Sequence, residues 1–138
     1  MDFDPTGNAL AYTGADSKVY VINSRREADK PPKNGHLTDL QADDFGAELL
    51  IEKINGWGNC VVWSPNGKSF TVVTQGNNLH VISVDSNAEI IKEKKKKKKS
   101  SQSMFLPLTR CFYNGEEELI ATGFDAVPFK FTLDGGRW

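Results

Sequence analysis

Histidine, cysteine and methionine are scarce in this chain, with two of each among 138 residues. His36 and His80 stand 44 positions apart, and neither falls at a metal-ligand spacing from Cys, Asp or Glu. No metal site and no cofactor is therefore expected. A G-x-S-x-G elbow, a phosphate-binding loop and a dinucleotide fingerprint are all missing, so no enzyme activity is expected. No run of about 18 apolar residues exists, and no segment is expected to cross a membrane. The opening MDFDPTG has neither a basic region nor an apolar stretch, so it does not read as a signal peptide. Helix signals are nearly absent. Only Leu40–Ile54 is compatible with a helix, and its C-terminal half reads better as a strand. Cys60 and Cys111 both fall inside strand patterns and read as buried, reduced thiols, which suits a reducing compartment.

What the chain does have is one strand pattern written three times. Met1–Asn23 reads MDFDPTGNALAYTGADSKVYVIN, Val61–Ser83 reads VVWSPNGKSFTVVTQGNNLHVIS, and Cys111–Thr132 reads CFYNGEEELIATGFDAVPFKFT. Phe3, Trp63 and Phe112 share a register, with Leu10, Phe70 and Leu119 each seven residues later. Pro5 matches Pro65, Gly7 matches Gly67, Gly14 matches Gly123, and Asp16 matches Asp125. The offsets are 60 and 49 residues. Short strands recurring at such a period point to an all-β fold of propeller blades. The repeat units are expected at about 1–54, 55–104 and 105–138. Strands are expected over Ala9–Thr13, Lys18–Ile22, Leu49–Ile54 and Ala88–Lys92. The aromatic triplet Phe3, Trp63 and Phe112 is expected in the core. Asp16 and Asp125 are expected to hold turns by accepting backbone N–H bonds, not to form a catalytic pair. Glu116, Glu117 and Glu118 read as solvated turn residues. Trp57, at the start of the second repeat, either packs across a blade boundary or stands exposed as an anchor for a partner.

A closed propeller needs about four to eight four-stranded blades. Three blades cannot close a ring, and the two end blades would each leave an apolar face uncovered. The chain is therefore expected to be a piece of a longer protein or to be completed by other chains. Two segments interrupt the pattern. Residues 24–44 are polar and hold PPKNG, and residues 93–103 form a lysine-rich, low-complexity loop. Lys92–Lys99 alone carries a charge of +6 in a chain whose net charge is −1, so the remainder is acidic. The run that includes Lys94, Lys95 and Lys96 is either a solvated insertion or a contact for an acidic partner, actin or nucleic acid. Aromatics are not interleaved with the lysines, so nucleic acid is not the expected partner.

Three stretches resemble a known family, the WD-repeat propeller subunit, subunit 1, of the actin-related protein 2/3 complex. They are the opening DFDPTGNALAYTGADSKVYVINS; the series Phe45-Gly46, Glu48-Leu49, Gly56-Trp57 leading into VVWSPNGKSFTVVTQGNNLHVI; and LPLTRCFYNGEEELIATGFDAVPFKFTLDGG. The resemblance implies about three four-stranded antiparallel WD-repeat blades, from the middle of a seven-bladed ring that this chain alone does not close. It also implies a non-enzymatic scaffold in the cytoplasmic actin cytoskeleton. Its partners would be the other subunits, the actin filament and nucleation-promoting factors, in an assembly that nucleates filaments as branches. A generic propeller adaptor unrelated to actin, or a propeller hydrolase, are the competing readings.

Overall fold

The computed structural model describes residues 1–25, 45–84 and 106–132. Ten strands are found among them: β1 (Asp2–Phe3), β2 (Ala9–Thr13), β3 (Lys18–Asn23), β4 (Glu48–Lys53), β5 (Gly58–Trp63), β6 (Ser69–Thr74), β7 (Leu79–Ser83), β8 (Leu108–Tyr113), β9 (Glu118–Gly123) and β10 (Pro128–Thr132). They form three antiparallel meanders, β1-β2-β3-β4, β5-β6-β7 and β8-β9-β10. The first sheet has four strands. The other two have three each among the described residues, and the outer strand expected at Ala88–Lys92 lies outside them. Lys18–Asn23 runs one residue past the expected strand, and Glu48–Lys53 starts and ends one residue before it.

Valine, isoleucine, threonine and aromatic side chains fit a pleated, covered surface, and they fill these strands. Successive residues of a strand point to opposite faces. In the first blade Ala9, Ala11, Val19 and Val21 point one way and join Val61, Trp63, Phe70 and Val72 of the second blade in one buried cluster. The alternate residues of the second blade, Cys60, Val62 and Val73, turn the other way. There they meet Leu108, Cys111, Leu119 and Ala121 of the third. The middle sheet is thus covered on both faces, and in β6 every residue from Phe70 to Thr74 is buried. Polar links cross both boundaries. The Trp63 N–H donates to Asp2 Oδ2 at 2.8 Å, and the Gly58 N–H donates to the Gly14 carbonyl at 3.0 Å. The Thr71 and Tyr113 hydroxyls lie 2.8 Å apart, and Asn59 Nδ2 donates to the Leu108 carbonyl at 2.8 Å.

Among the described residues, no further sheet covers the outer faces of the arc. On the leading flank Phe3 pairs with Leu10, Leu10 with Ile22, and Tyr12 with Tyr20 and, through it, Ile51. On the trailing flank Phe112 pairs with Ile120, and Ile120 with Lys130. This geometry corrects the expectation for the aromatic triplet. Trp63 is 5% exposed, but Phe3 is 55% exposed and Phe112 is 53% exposed. Each exposed phenylalanine faces a flank on which no further sheet packs among the described residues.

The register of Phe112 is also corrected. Phe3 faces Leu10 and Trp63 faces Phe70, but the residue facing Leu119 is Tyr113. Turn bonds agree. Asp4 N–H donates to the Ala9 carbonyl at 2.8 Å and Ser64 N–H to that of Ser69 at 2.9 Å. The matching bond in the third blade runs from Asn114 to Glu118, at 2.9 Å. That turn is one residue shorter and lacks the proline seen at Pro5 and Pro65. Because side chains alternate, a slip of one residue moves Phe112 to the outer face and brings Tyr113 inward.

Candidate interaction surface

The strands of a meander put the β-turn between its second and third strands at the same end as the lead-in to its first strand. Asp16, Gln75 and Asp125 sit on these turns, and Trp57 and Leu106 on the lead-ins. The turn geometry repeats. Ser17, Asn77 and Ala126 occupy one register, with φ of 59°, 57° and 59°. A left-handed backbone is unfavourable for alanine, which has a Cβ and no polar group to offset the crowding. Ala126→Gly is expected to raise stability by about 0.5–1 kcal/mol, the relief of strain exceeding the added unfolded-state freedom. Urea denaturation measures this, and a decrease would contradict the assigned conformation.

Asp16 and Asp125 both accept backbone N–H bonds. Asp16 Oδ1 takes one from Lys18 at 3.3 Å, and Asp125 Oδ2 takes one from Leu106 at 2.6 Å. The second bond ties the third blade's lead-in to its own turn. Asp16 Oδ2 also accepts the Tyr20 hydroxyl at 2.5 Å. Tyr20 stacks on Tyr12 with centroids 5.1 Å apart, and Lys18 Nζ sits 6.0 Å from its ring centre. The hydrogen bond pushes the Tyr20 phenol up to about 12 and lowers the Asp16 carboxyl. For Tyr20 the raised value means that the bond's contribution is whole below the ordinary phenol value of about 10 and is lost as pH rises through about 12. For Asp16 the lowered value means that its contribution is present above the ordinary carboxylate range and is lost on acidification. An ultraviolet phenolate titration is expected to show this late-ionising tyrosine, and Asp16→Asn is expected to return it toward about 10. An unchanged titration in that variant would refute the bond.

Around this end of the blades stand exposed apolar side chains. Trp57 is 60% exposed, Phe124 62%, and Leu106 and Val127 51% each. Trp57 therefore does not pack into a blade boundary. Its carbonyl accepts the Gln75 N–H at 2.8 Å, which fixes the backbone and leaves the indole facing outward. Sequence reading singled out Trp57 but missed Leu106, Phe124 and Val127. The signal for them was the repeat itself, which puts Phe124 and Val127 on a turn where the first repeat has Ala15 and Lys18.

Other candidate residues are scattered. Gly14 lies in the open, whereas Gly123 is pressed against Pro107. His80 accepts the Asn55 N–H through Nε2 at 3.3 Å. Glu118 opens β9 and forms an ion pair with Lys130, which holds its carboxyl below the usual range. Lys94, Lys95 and Lys96 lie outside the described residues. Among the described residues no three His, Cys, Asp or Glu side chains are grouped to hold a metal ion. No helix among them is long and apolar enough to cross a membrane. A cavity of about 380 Å³ opens on the leading flank, lined by Phe3, Leu10, Arg25 and Phe45 among others.

Stacked antiparallel meanders whose end faces are uncovered among the described residues define a partial β-propeller, its ring not closed by them. The chain is similar to the actin-related protein 2/3 complex subunits 1A-A and 1A-B of Xenopus laevis, 26% identical to each over 136 residues. The match covers 97% of this chain and 35% of each relative, so the chain spans about a third of their length. No family model matches the chain.

Proposed function

We propose that this chain is part of a non-enzymatic scaffold subunit of an actin-related protein 2/3 complex. The observation that carries the reading is the similarity to subunits of that complex over 97% of the chain, a span that takes in all three blades. In this reading each repeat unit, about 1–54, 55–104 and 105–138, is a blade that packs on its neighbours and presents its turn-bearing end to other subunits. The assembly nucleates a new actin filament as a branch on an existing one. The actin filament and nucleation-promoting factors meet the chain within that assembly, in the cytoplasmic actin cytoskeleton.

The test is affinity purification through a tag on the chromosomal copy, followed by mass spectrometry. Two actin-related proteins and the remaining subunits are expected in fixed proportion. Recovery of a different stable assembly would replace this reading with that of a general adaptor. Trp57→Asp changes an exposed lead-in side chain. It is expected to leave the melting temperature unchanged and to cut co-purification several-fold, about 1 kcal/mol or more of lost contact energy. Full retention of the partners would remove Trp57 from the contact surface.

A further inference from the structure

Cys60 and Cys111 are 51 residues apart in sequence and belong to different blades, yet they meet at one point. Cys60 lies on β5 and faces the third blade; Cys111 lies on β8 and faces the second. Cys60 Sγ stands 3.9 Å from the Cys111 carbonyl oxygen and 3.8 Å from that of Val61, and Cys60 packs against the buried cluster that holds Cys111. Both are free thiols, with Cys60 partly exposed and Cys111 buried. The strands that carry them, β5 and β8, lie against each other, which brings the two side chains to the same blade boundary. Exposure assigns the two sulfurs their roles, since a solute reaches the partly exposed Cys60 and not the buried Cys111. The neighbouring Cys111 lowers the Cys60 thiol, while Cys60 and burial raise Cys111 and hold it in the thiol form. Arg110 favours the Cys60 thiolate, and Asp2 disfavours ionisation of Cys111.

We propose that Cys60 and Cys111 form a peroxide-driven, reversible disulfide that staples the second blade to the third. The Cys60 thiolate attacks one oxygen of a hydroperoxide. The O–O bond breaks, the second oxygen leaves as hydroxide and takes up a proton, and Cys60 becomes a sulfenic acid. The Cys111 sulfur then attacks the Cys60 sulfur. The sulfenic hydroxyl leaves and takes the Cys111 proton as a second water. Two thiols and one hydrogen peroxide thus give one disulfide and two waters, both sulfurs being oxidised and both peroxide oxygens reduced. In a reducing compartment a disulfide of this kind is transient and is reset by exchange with a dithiol. The cross-link joins strands that already touch. It limits their separation in the unfolded chain.

The experiment treats the 138-residue chain with stoichiometric hydrogen peroxide and reads intact mass, free thiols and non-reducing peptide maps. Loss of two hydrogen masses, loss of both free thiols and a linked Cys60–Cys111 peptide pair are expected, all reversed by dithiothreitol. The oxidised chain is expected to melt at least about 5 °C higher than the reduced one. Cys111→Ser is expected to stop at a sulfenic acid on Cys60, trapped by dimedone, and Cys60→Ser to leave Cys111 unreacted over the same time. Linked pairs between two chains, over-oxidation of Cys60 with no link, or faster reaction at Cys111 than at Cys60 would each overturn the proposal.

Discussion

Phe70→Ala is expected to destabilise the chain by about 3–5 kcal/mol. Phe70 has no exposed surface and lies on β6, the strand whose residues are covered from both sides. Its ring meets that of Trp63 at 5.1 Å with planes tilted by 54°, a favourable aromatic geometry. Trp63 in turn holds the first blade, because its backbone N–H bonds Asp2. Removing the ring leaves a cavity at the boundary between the first and second blades, in the buried cluster that also holds Ala9, Ala11 and Val21. Small alanines cannot move in to fill it, so the cavity cost adds to the lost burial. A domain of this size has about 5–15 kcal/mol in total, so the loss takes a large share of its stability. Urea denaturation by circular dichroism measures the change, and a loss below about 1 kcal/mol would place Phe70 outside a packed boundary. Phe112→Ala, on the uncovered trailing flank, is expected to change stability by no more than about 0.5 kcal/mol.

Gly123→Ala is expected to cost about 2–3 kcal/mol, although Gly14→Ala at the matching repeat position costs little. A Cβ on Gly123 would stand 2.3 Å from the Pro107 carbonyl oxygen and 2.9 Å from the Leu108 Cα, both backbone atoms that cannot swing aside. The register of β8 against β9 shifts between Leu108 and Arg110, so the pairing there is already irregular. Relief requires the lead-in to lift. That stretches the Phe124 N–H bond to Pro107, now 3.3 Å, and the Leu106 N–H bond to Asp125. Gly14 has nothing within 4 Å of the same position. Thermal unfolding of the two variants side by side gives the comparison. Equal losses would contradict the close approach at Gly123.

These two glycines show where sequence reading succeeds and where it stops. Turn chemistry is local, and it was legible. Pro5-Thr6-Gly7 and Pro65-Asn66-Gly67 announce turns in which Gly7 and Gly67 take φ of 74° and 69°. The strand Ala9–Thr13 was legible to the residue, because ALAYT is bounded by that turn and by Gly14. A deletion inside a repeat was less legible. Counting seven residues back from Leu119 lands on Phe112, whereas the ladder places Tyr113 opposite it. Both residues are aromatic, so composition could not choose between them. Flank exposure was hidden as well. Phe3 and Trp63 share a register, and only the presence of a sheet on one side of Trp63 separates a buried residue from an exposed one. The meeting of Cys60 with Cys111, and of Thr71 with Tyr113, depends on how blades stack across 51 and 42 residues of chain. Strand periodicity gives each face but not its neighbour.

Three sheets stack so that, among the described residues, only the middle one is covered on both faces. Amide hydrogen exchange of the 138-residue chain, read peptide by peptide, tests it most directly. The slowest exchange is expected in β6, intermediate rates in β2 and β9, and the fastest in β1 and β10, a gradient falling outward from Phe70–Thr74. Uniform protection across all three sheets, or slowest exchange in the first or third, would contradict it.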